Sequence, residues 1–257
     1  MTRITIVTIT YNAARCLQRT LDSVLQQCYP YVEHLIVDGS STDDTLLLAR
    51  RYMEESAEKA ATHEVVLLSE PDRGIYDAMN KGLRRATGDY ILFLNAGDTL
   101  FSPATLEQVA AKAGADTGVI YGDTDIVDAS GTYLRPRRLR PPRQLTWRSF
   151  RHGMLVCHQA FYARTDLARL TEYDLRYRFS ADVDWCIRVM KLAEERRLKL
   201  CNVETVVANY TEEGATTLNH RASLKERFRV MASHYGLFTT VCMHLWFVVR
   251  SVLKRER

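Results

Sequence analysis

The chain is expected to fold as an α/β protein, a doubly wound and mostly parallel sheet flanked by helices, and three observations point there. Short apolar, β-branched runs recur at 3–10, 34–37, 65–68 and 90–94, with stretches of helical spacing between them. Each run ends abruptly in polar or charged residues. The first run is not followed by G-x-G-x-x-G, so a dehydrogenase on such a sheet is excluded.

Residues 3–10 are apolar and β-branched, as suits a strand buried on both faces. Residues 13–28 carry Leu17, Leu21, Val24 and Leu25 at helical spacing and stop before Pro30. After the strand at 34–37, Ser41, Thr42 and Asp43 offer a cap for a helix over 46–52. The strand at 65–68 leads to a helix over 76–85, closed by Gly88, and then to the strand at 90–94. Beyond that the pattern loosens. A short strand is expected at 119–121, a hairpin through Tyr133, a strand at 156–162, a helix at 182–192, a strand at 198–209 and a helix at 223–234. Residues 1–216 read as one domain and 217–257 as a helical extension.

With 257 residues the chain can bury a full core, and 46% hydrophobic with 26% charged residues is ordinary for a soluble globular protein. The formal charge of +4 is mild, and no nucleic-acid partner is expected. Cys16, Cys28, Cys157, Cys186, Cys201 and Cys242 show neither C-x-x-C nor metal-type spacing, which suits reduced thiols in a cytosolic protein. The first strand begins too early for a signal peptide, so a cytoplasmic location is expected. Seven arginines lie between 135 and 151 without an acid. That run is either a solvated loop or a patch for an anionic ligand or membrane surface.

In an open parallel sheet, ligands bind beyond the carboxyl ends of the strands, where the strand order reverses. Four strand ends here carry Tyr11/Asn12, Asp38, Asp72/Arg73 and Asn95/Asp98. Together they describe one crevice for a polar, phosphorylated ligand.

The segments that form this crevice are Thr8-Ile-Thr-Tyr-Asn12, Val37-Asp-Gly-Ser-Ser-Thr-Asp-Asp44, Asp72-Arg-Gly-Ile-Tyr-Asp-Ala-Met-Asn-Lys-Gly82 and Phe93-Leu-Asn-Ala-Gly-Asp98. In order and spacing they resemble the motifs of GT-A fold, family 2 glycosyltransferases, of the kind that build bacterial surface polysaccharides. The resemblance runs from Thr2 to about Arg188. It implies a nucleotide-sugar donor, Mg²⁺ or Mn²⁺, and inversion at the anomeric carbon. It also implies donor-binding roles for Thr10, Tyr11, Asn12, Asp38, Asp72, Arg73 and Asn95. Asp38 could equally cap the Gly-Ser-Ser turn, and Asp72-Arg73-Gly74 could be a charged turn closed by a local ion pair. Relatives place two or three carboxylates where this chain has Asn95-Ala-Gly-Asp98. Asp98 is then the metal ligand, with Asn95 as a neutral oxygen donor, because Mg²⁺ is commonly held by one or two carboxylates plus substrate phosphates.

Inverting transfer needs a base on the wall opposite the leaving group. Ala181-Asp-Val-Asp-Trp-Cys-Ile-Arg188 resembles the family's Glu-Asp-x-Asp…Arg segment, which makes Asp182 the general base. A carboxylate there would also suit the helix dipole, and Asp184 with Arg188 forms an i,i+4 pair. The resemblance gives His158 and Gln159 an acceptor or sugar-binding role on the expected strand. His220 is weighed as a late metal ligand, with only its nearness to 214–217 to support it.

The tail at 237–253 is apolar but interrupted by Thr239, Thr240, His244 and Arg250, too short and polar for a span. It reads as an interfacial helix on an anionic leaflet, a dimer contact or a helix packed on the protein itself. The expected partners are a nucleotide-sugar donor, a lipid-linked or saccharide acceptor and an anionic membrane surface at the inner face of the cell membrane. A sugar nucleotidyltransferase would want a glycine-rich loop at Thr10-Tyr-Asn-Ala-Ala14, which has no glycine. A nucleotide-sugar-binding module without catalysis is the remaining alternative.

Overall fold

The computed structural model describes residues 1–59, 63–212 and 220–253. β1 (Ile4–Thr10), β2 (Val32–Asp38), β3 (Glu64–Ser69) and β4 (Tyr90–Phe93) pair in parallel, in the order β3-β2-β1-β4. α1 (Ala14–Leu25), α2 (Thr45–Lys59) and α3 (Ile75–Arg85) connect them. Every residue of β1 and β2 is buried, which explains the unbroken apolar and β-branched character of β1. Glu33, His34 and Asp38 of β2 are buried with hydrogen bonds to Thr5, Thr8 and Thr10 of β1. The chain runs outward through β2 and β3, then returns to the other side of β1 as β4. A crevice therefore opens beyond the ends of β1 and β4.

The second half of the sheet is mixed. β5 (Thr99–Leu100), β6 (Thr117–Val127), β7 (Tyr133–Pro136), β8 (Phe161–Arg164) and β9 (Lys199–Thr211) extend it. β8 lies antiparallel between β4 and β6, and β9 runs parallel to β6. α4 (Thr105–Ala110) and α5 (Thr165–Arg169) are too short to show a period in the sequence, as is β5. The strand expected at 156–162 begins only at Phe161. His158–Ala160 is instead a 3-10 turn, closed by the Ala160 N–H on the Cys157 carbonyl. An apolar run alone does not separate these two outcomes.

α6 (Ala181–Glu195) packs Trp185 into the core, where its ring stacks 4.9 Å from Tyr173 and meets Phe93 and Phe161 edge-on. α7 (His220–Tyr235) and α8 (Leu237–Leu253) follow β9. Residues 214–217, named above beside His220, and 254–257, the end of the 217–257 extension, lie outside the described residues, as does the His220 side chain.

The expected Asp184–Arg188 pair is present at 2.7 Å, but Asp184 also accepts from His234 Nε2 of α7 at 2.8 Å. Burial pushes the Asp184 carboxyl up, and His234 and Arg188 together hold it below the ordinary range. Asp184 thus fastens α7 to α6, and more depends on it than on a surface i,i+4 pair. Asp184→Asn is expected to cost about 1–3 kcal/mol in denaturant unfolding, because buried donors lose a charged acceptor. It should leave the transfer rate intact.

The arginine run at 135–151 is not an unbroken basic patch. Arg135 pairs with Glu212, Arg143 with Glu204 at 3.2 Å and Arg148 with Glu194 at 2.7 Å. Arg137 donates to the carbonyls of Leu139 and Met154, and Arg140 lies near Asp123 and Asp125. Exposed pairs add little stability. They do offset part of the field that the sequence suggests.

Candidate active site

A cavity of about 570 Å³ opens between the start of α1, the turn after β4 and the start of α6. Asn95, Asp98, His158, Gln159 and Asp182 all line it, so five of the residues singled out above converge from three separate segments. A second cavity of about 590 Å³ lies beside Asp89 and Tyr90, at the start of β4 and away from this cluster.

The turn Asn95–Asp98 is closed by the Asp98 N–H on the Asn95 carbonyl at 3.0 Å. Gly97 has φ +98°, a conformation that a side chain would strain. Thr20 of α1 holds the turn from beneath: its hydroxyl donates to the Asp98 carbonyl at 2.7 Å and accepts from the Gly97 N–H at 2.9 Å. Asp98 is 5% exposed, and its carboxylate is held by two donors. It accepts from the Thr211 N–H at 2.9 Å and from Gln159 Nε2 at 2.6 Å. Burial outweighs both hydrogen bonds and pushes its pKa up to about 6. Gln159 is thus placed to orient Asp98.

Asp182 sits in the first turn of α6. Its carboxylate is 18% exposed, accepts from the Tyr76 hydroxyl at 3.3 Å and meets His158 Nδ1 at 3.4 Å. Burial raises its pKa, but His158 and the Arg227 charge bring it below the ordinary carboxylate value. On the far edge of the imidazole, Asn95 Nδ2 lies 3.1 Å from Nε2. With the amide donating there, the ring proton is on Nδ1 and faces Asp182. One ring thus separates Asp182 from the Asn95–Asp98 turn. Asn95 Oδ1 is buried and has no hydrogen-bond partner among the described residues.

The other expected donor residues form a neighbouring cluster outside this cavity. Thr10 pairs in register with Asp38, and Asp38 with Ser69. Asp38 is fully buried and accepts from Thr10 Oγ1 at 3.0 Å, Ser41 N–H at 2.9 Å, the Ser41 hydroxyl and Ser69 Oγ at 2.8 Å. The turn-capping alternative is therefore realised. A donor contact would require one of these bonds to be given up. Asn12, at φ 49°, accepts the Thr42 N–H at 2.9 Å, and the Tyr11 ring is exposed. Asp72 and Tyr11 both border Gly39: a Cβ there would overlap Asp72 Oδ2 and stand 3.3 Å from the Tyr11 ring. Arg73 forms the local ion pair, at 3.1 Å from Asp77, and does not line the cavity.

The family model described as "Glycosyl transferase family 2" matches residues 5–169, which includes every strand end of this crevice. The chain belongs to glycosyl transferase family 2. A PGL/p-HBAD biosynthesis glycosyltransferase of Mycobacterium tuberculosis is 35% identical over 212 residues, 81% of this chain and 77% of the relative. The amylovoran biosynthesis glycosyltransferase AmsB of Erwinia amylovora is 28% identical, over 78% of this chain and 66% of its own. Among solved structures, S. aureus TarS 1-349 in complex with UDP-GlcNAc superposes with a TM-score of 0.68 at 16% identity, over 90% of this chain. This glycosyltransferase spans 66% of that chain. The mannosyltransferase PcManGT from Pyrobaculum calidifontis, in complex with GDP-Man and Mn²⁺, gives 0.64 at 19% identity, over 99% of this chain and 79% of its own. The fold is GT-A.

Several groups in this glycosyltransferase's site escaped the sequence reading. Tyr76 lay inside a quoted motif, but nothing there aimed it at Asp182, which is 106 residues away. Thr211 reaches Asp98 only because β9 returns through the sheet, and Arg15, Arg19 and Arg178 at the cavity wall carry no motif. Among the described residues there is no cluster of three or more His, Cys, Asp or Glu side chains that could hold a metal. The oxygens that are present still fit a hard divalent cation. Asp98 supplies one anionic group, and Asn95, whose Oδ1 has no partner among the described residues, lines the same cavity. Ions such as Mg²⁺ take much of their shell from substrate phosphate and water.

Proposed function

We propose that this glycosyltransferase moves a sugar, with inversion, from a nucleotide-diphosphate donor to a hydroxyl of a lipid-linked or saccharide acceptor during synthesis of a cell-surface glycan or glycolipid. The observation that carries the proposal is the Asp182 carboxylate, kept ionised at the cavity wall and separated by the His158 ring from the Asn95–Asp98 turn. An in-line displacement wants this arrangement, with the base on one side and the leaving group on the other. The names of the relatives, one for PGL/p-HBAD and one for amylovoran biosynthesis, support the glycan class. The complexes of TarS with UDP-GlcNAc and of PcManGT with GDP-Man support the donor class.

In this reading Tyr11, Gly39 and Asp72 border the base and ribose, over a floor braced by Asp38. The diphosphate lies toward Asn95 and Asp98. Asp98 and Asn95 Oδ1 would hold Mg²⁺ or Mn²⁺, which when bound supplies positive charge to the leaving diphosphate. Arg15 and Arg178 line the same cavity and add positive charge. Asp182 takes the proton of the acceptor hydroxyl as its oxygen bonds to the anomeric carbon and the bond to the diphosphate breaks. Tyr76 and His158 hold the two Asp182 oxygens in place.

A thermal-shift screen over UDP-, GDP- and dTDP-sugars with Mn²⁺ tests this. At ~100-fold excess over Kd a true donor adds about 2.7 kcal/mol of stability. Stabilisation without transfer or hydrolysis would sink the catalytic reading and leave the binding module, and no stabilisation by any of them would sink both. Gly39→Ala pushes the far end of the Asp72 side chain and presses on the exposed Tyr11 ring. It should leave stability within about 1 kcal/mol while reducing the donor-induced shift.

A further inference from the structure

One side of α8 packs on the protein: Thr240 is fully buried, and the His244 ring lies 5.0 Å from Phe228 of α7. Its other side shows Phe238 (84% exposed), Val241, Leu245 (62%) and Trp246 (52%). Phe238, Val241 and Leu245 follow i, i+3, i+7 spacing, the pattern of a helix face that normally meets a core. Here it is contiguous, apolar and uncovered among the described residues.

Charge decides what would cover it. Residues 217–257 hold eight lysines and arginines against two acids. That formal +6 exceeds the +4 of the whole chain, so the remaining residues are slightly acidic. Lys225 and Arg229 are exposed on α7, and α8 contains no acid. Two copies meeting through this face would bring two positive segments together. An anionic bilayer surface would accept both the apolar stripe and the charge. Among the described residues no helix is long and apolar enough to cross a membrane.

We propose that α8 docks the protein on an anionic lipid bilayer, lying in the interface plane with Phe238, Val241, Leu245 and Trp246 toward the acyl boundary. The preceding helix also borders the site. Glu226 of α7 accepts the main-chain N–H groups of Arg178, at 2.7 Å, and Phe179, and both residues line the cavity. A docked molecule would therefore present its cavity near the lipid surface. That consequence for the acceptor rests on the proposed function, whereas the docking does not.

Sedimentation of the full chain with vesicles tests it, using phosphatidylcholine alone or mixed in equal parts with phosphatidylglycerol. The expected result is binding to the mixed vesicles that weakens with salt, with a blue shift of Trp246 fluorescence. Phe238→Ser and Leu245→Ser should each weaken it by about tenfold, the loss of one buried apolar side chain. Both positions are exposed, and an unchanged thermal transition confirms that each variant is folded. Equal binding to both vesicle types, no binding, or binding indifferent to both substitutions overturns the proposal. A dimer in light scattering that either substitution dissociates would overturn it too, and assign the face to a second copy. A donor screen that fails while vesicle binding succeeds would count against the proposed activity alone.

Discussion

Asp182→Asn should lower sugar transfer by about 10²–10⁴-fold, the usual contribution of a positioned base, with little change in donor affinity. Asparagine keeps the volume and can still accept the Tyr76 hydroxyl, now 3.3 Å from Oδ1. What it cannot do is take a proton. Because Asp182 does not touch the Tyr11–Asp38–Asp72 cluster, nucleotide binding gives an internal control. Asp184→Asn supplies a second control two residues along, with a stability cost and a normal rate. If Asp184→Asn were inactive and Asp182→Asn near normal, the base would have to be reassigned. Loss of donor affinity in Asp182→Asn would instead move that residue into the donor site.

Asp98→Asn should have two effects of opposite sign. Metal-stimulated transfer should be lost, since the anionic oxygen of the turn is gone. The metal-free protein should nonetheless become more stable at neutral pH. The sign follows from linkage: the folded-state pKa, about 6, lies above the ordinary 3.8. The folded state therefore holds more protons between those values, and stability falls as pH rises through that window. Ionised at pH 7, the carboxyl costs roughly 3 kcal/mol. The variant recovers less, because Thr211 N–H and Gln159 Nε2 keep only one good acceptor between them. Its stability should also vary less between about pH 4 and 6. Thermal unfolding of both proteins across that range, with and without Mn²⁺, measures this. A less stable metal-free variant at pH 7 would make Asp98 a structural anchor for the end of β9. Metal stimulation that survived the substitution would remove the turn as the metal site.

The legible parts of this protein were the local ones. Strand, turn and helix follow one another within a few residues around Thr10, Asp38, Asp72 and Asn95, so composition and periodicity place those strand ends directly. The opposite wall depends on pairing that no local pattern encodes. His158 reaches Asn95 because β8 inserts antiparallel beside β4. The turn that carries it looked like strand because Val156, Cys157 and Ala160 are all buried. The partial neutralisation of the arginine run is hidden for a related reason: Glu194, Glu204 and Glu212, which pair with three of its members, lie 46 to 77 residues downstream. His234 hid the weight borne by Asp184 in the same way, 50 residues on.

The four donors that converge on Asp38 come from the ends of β1 and β3 and from the turn after β2. None is a lysine or arginine that could swing away. Once the three strands pair in register, the floor beneath Tyr11 and Asp72 has no freedom left. Its ordering entropy is lost during folding, so that under the proposed function none of it would be lost when a nucleotide arrives. Such pre-organisation favours a tighter complex for the same contact area. It also means that altering Thr10, Ser41 or Ser69, none of which needs to touch the ligand, would loosen the pocket by restoring disorder to the free protein.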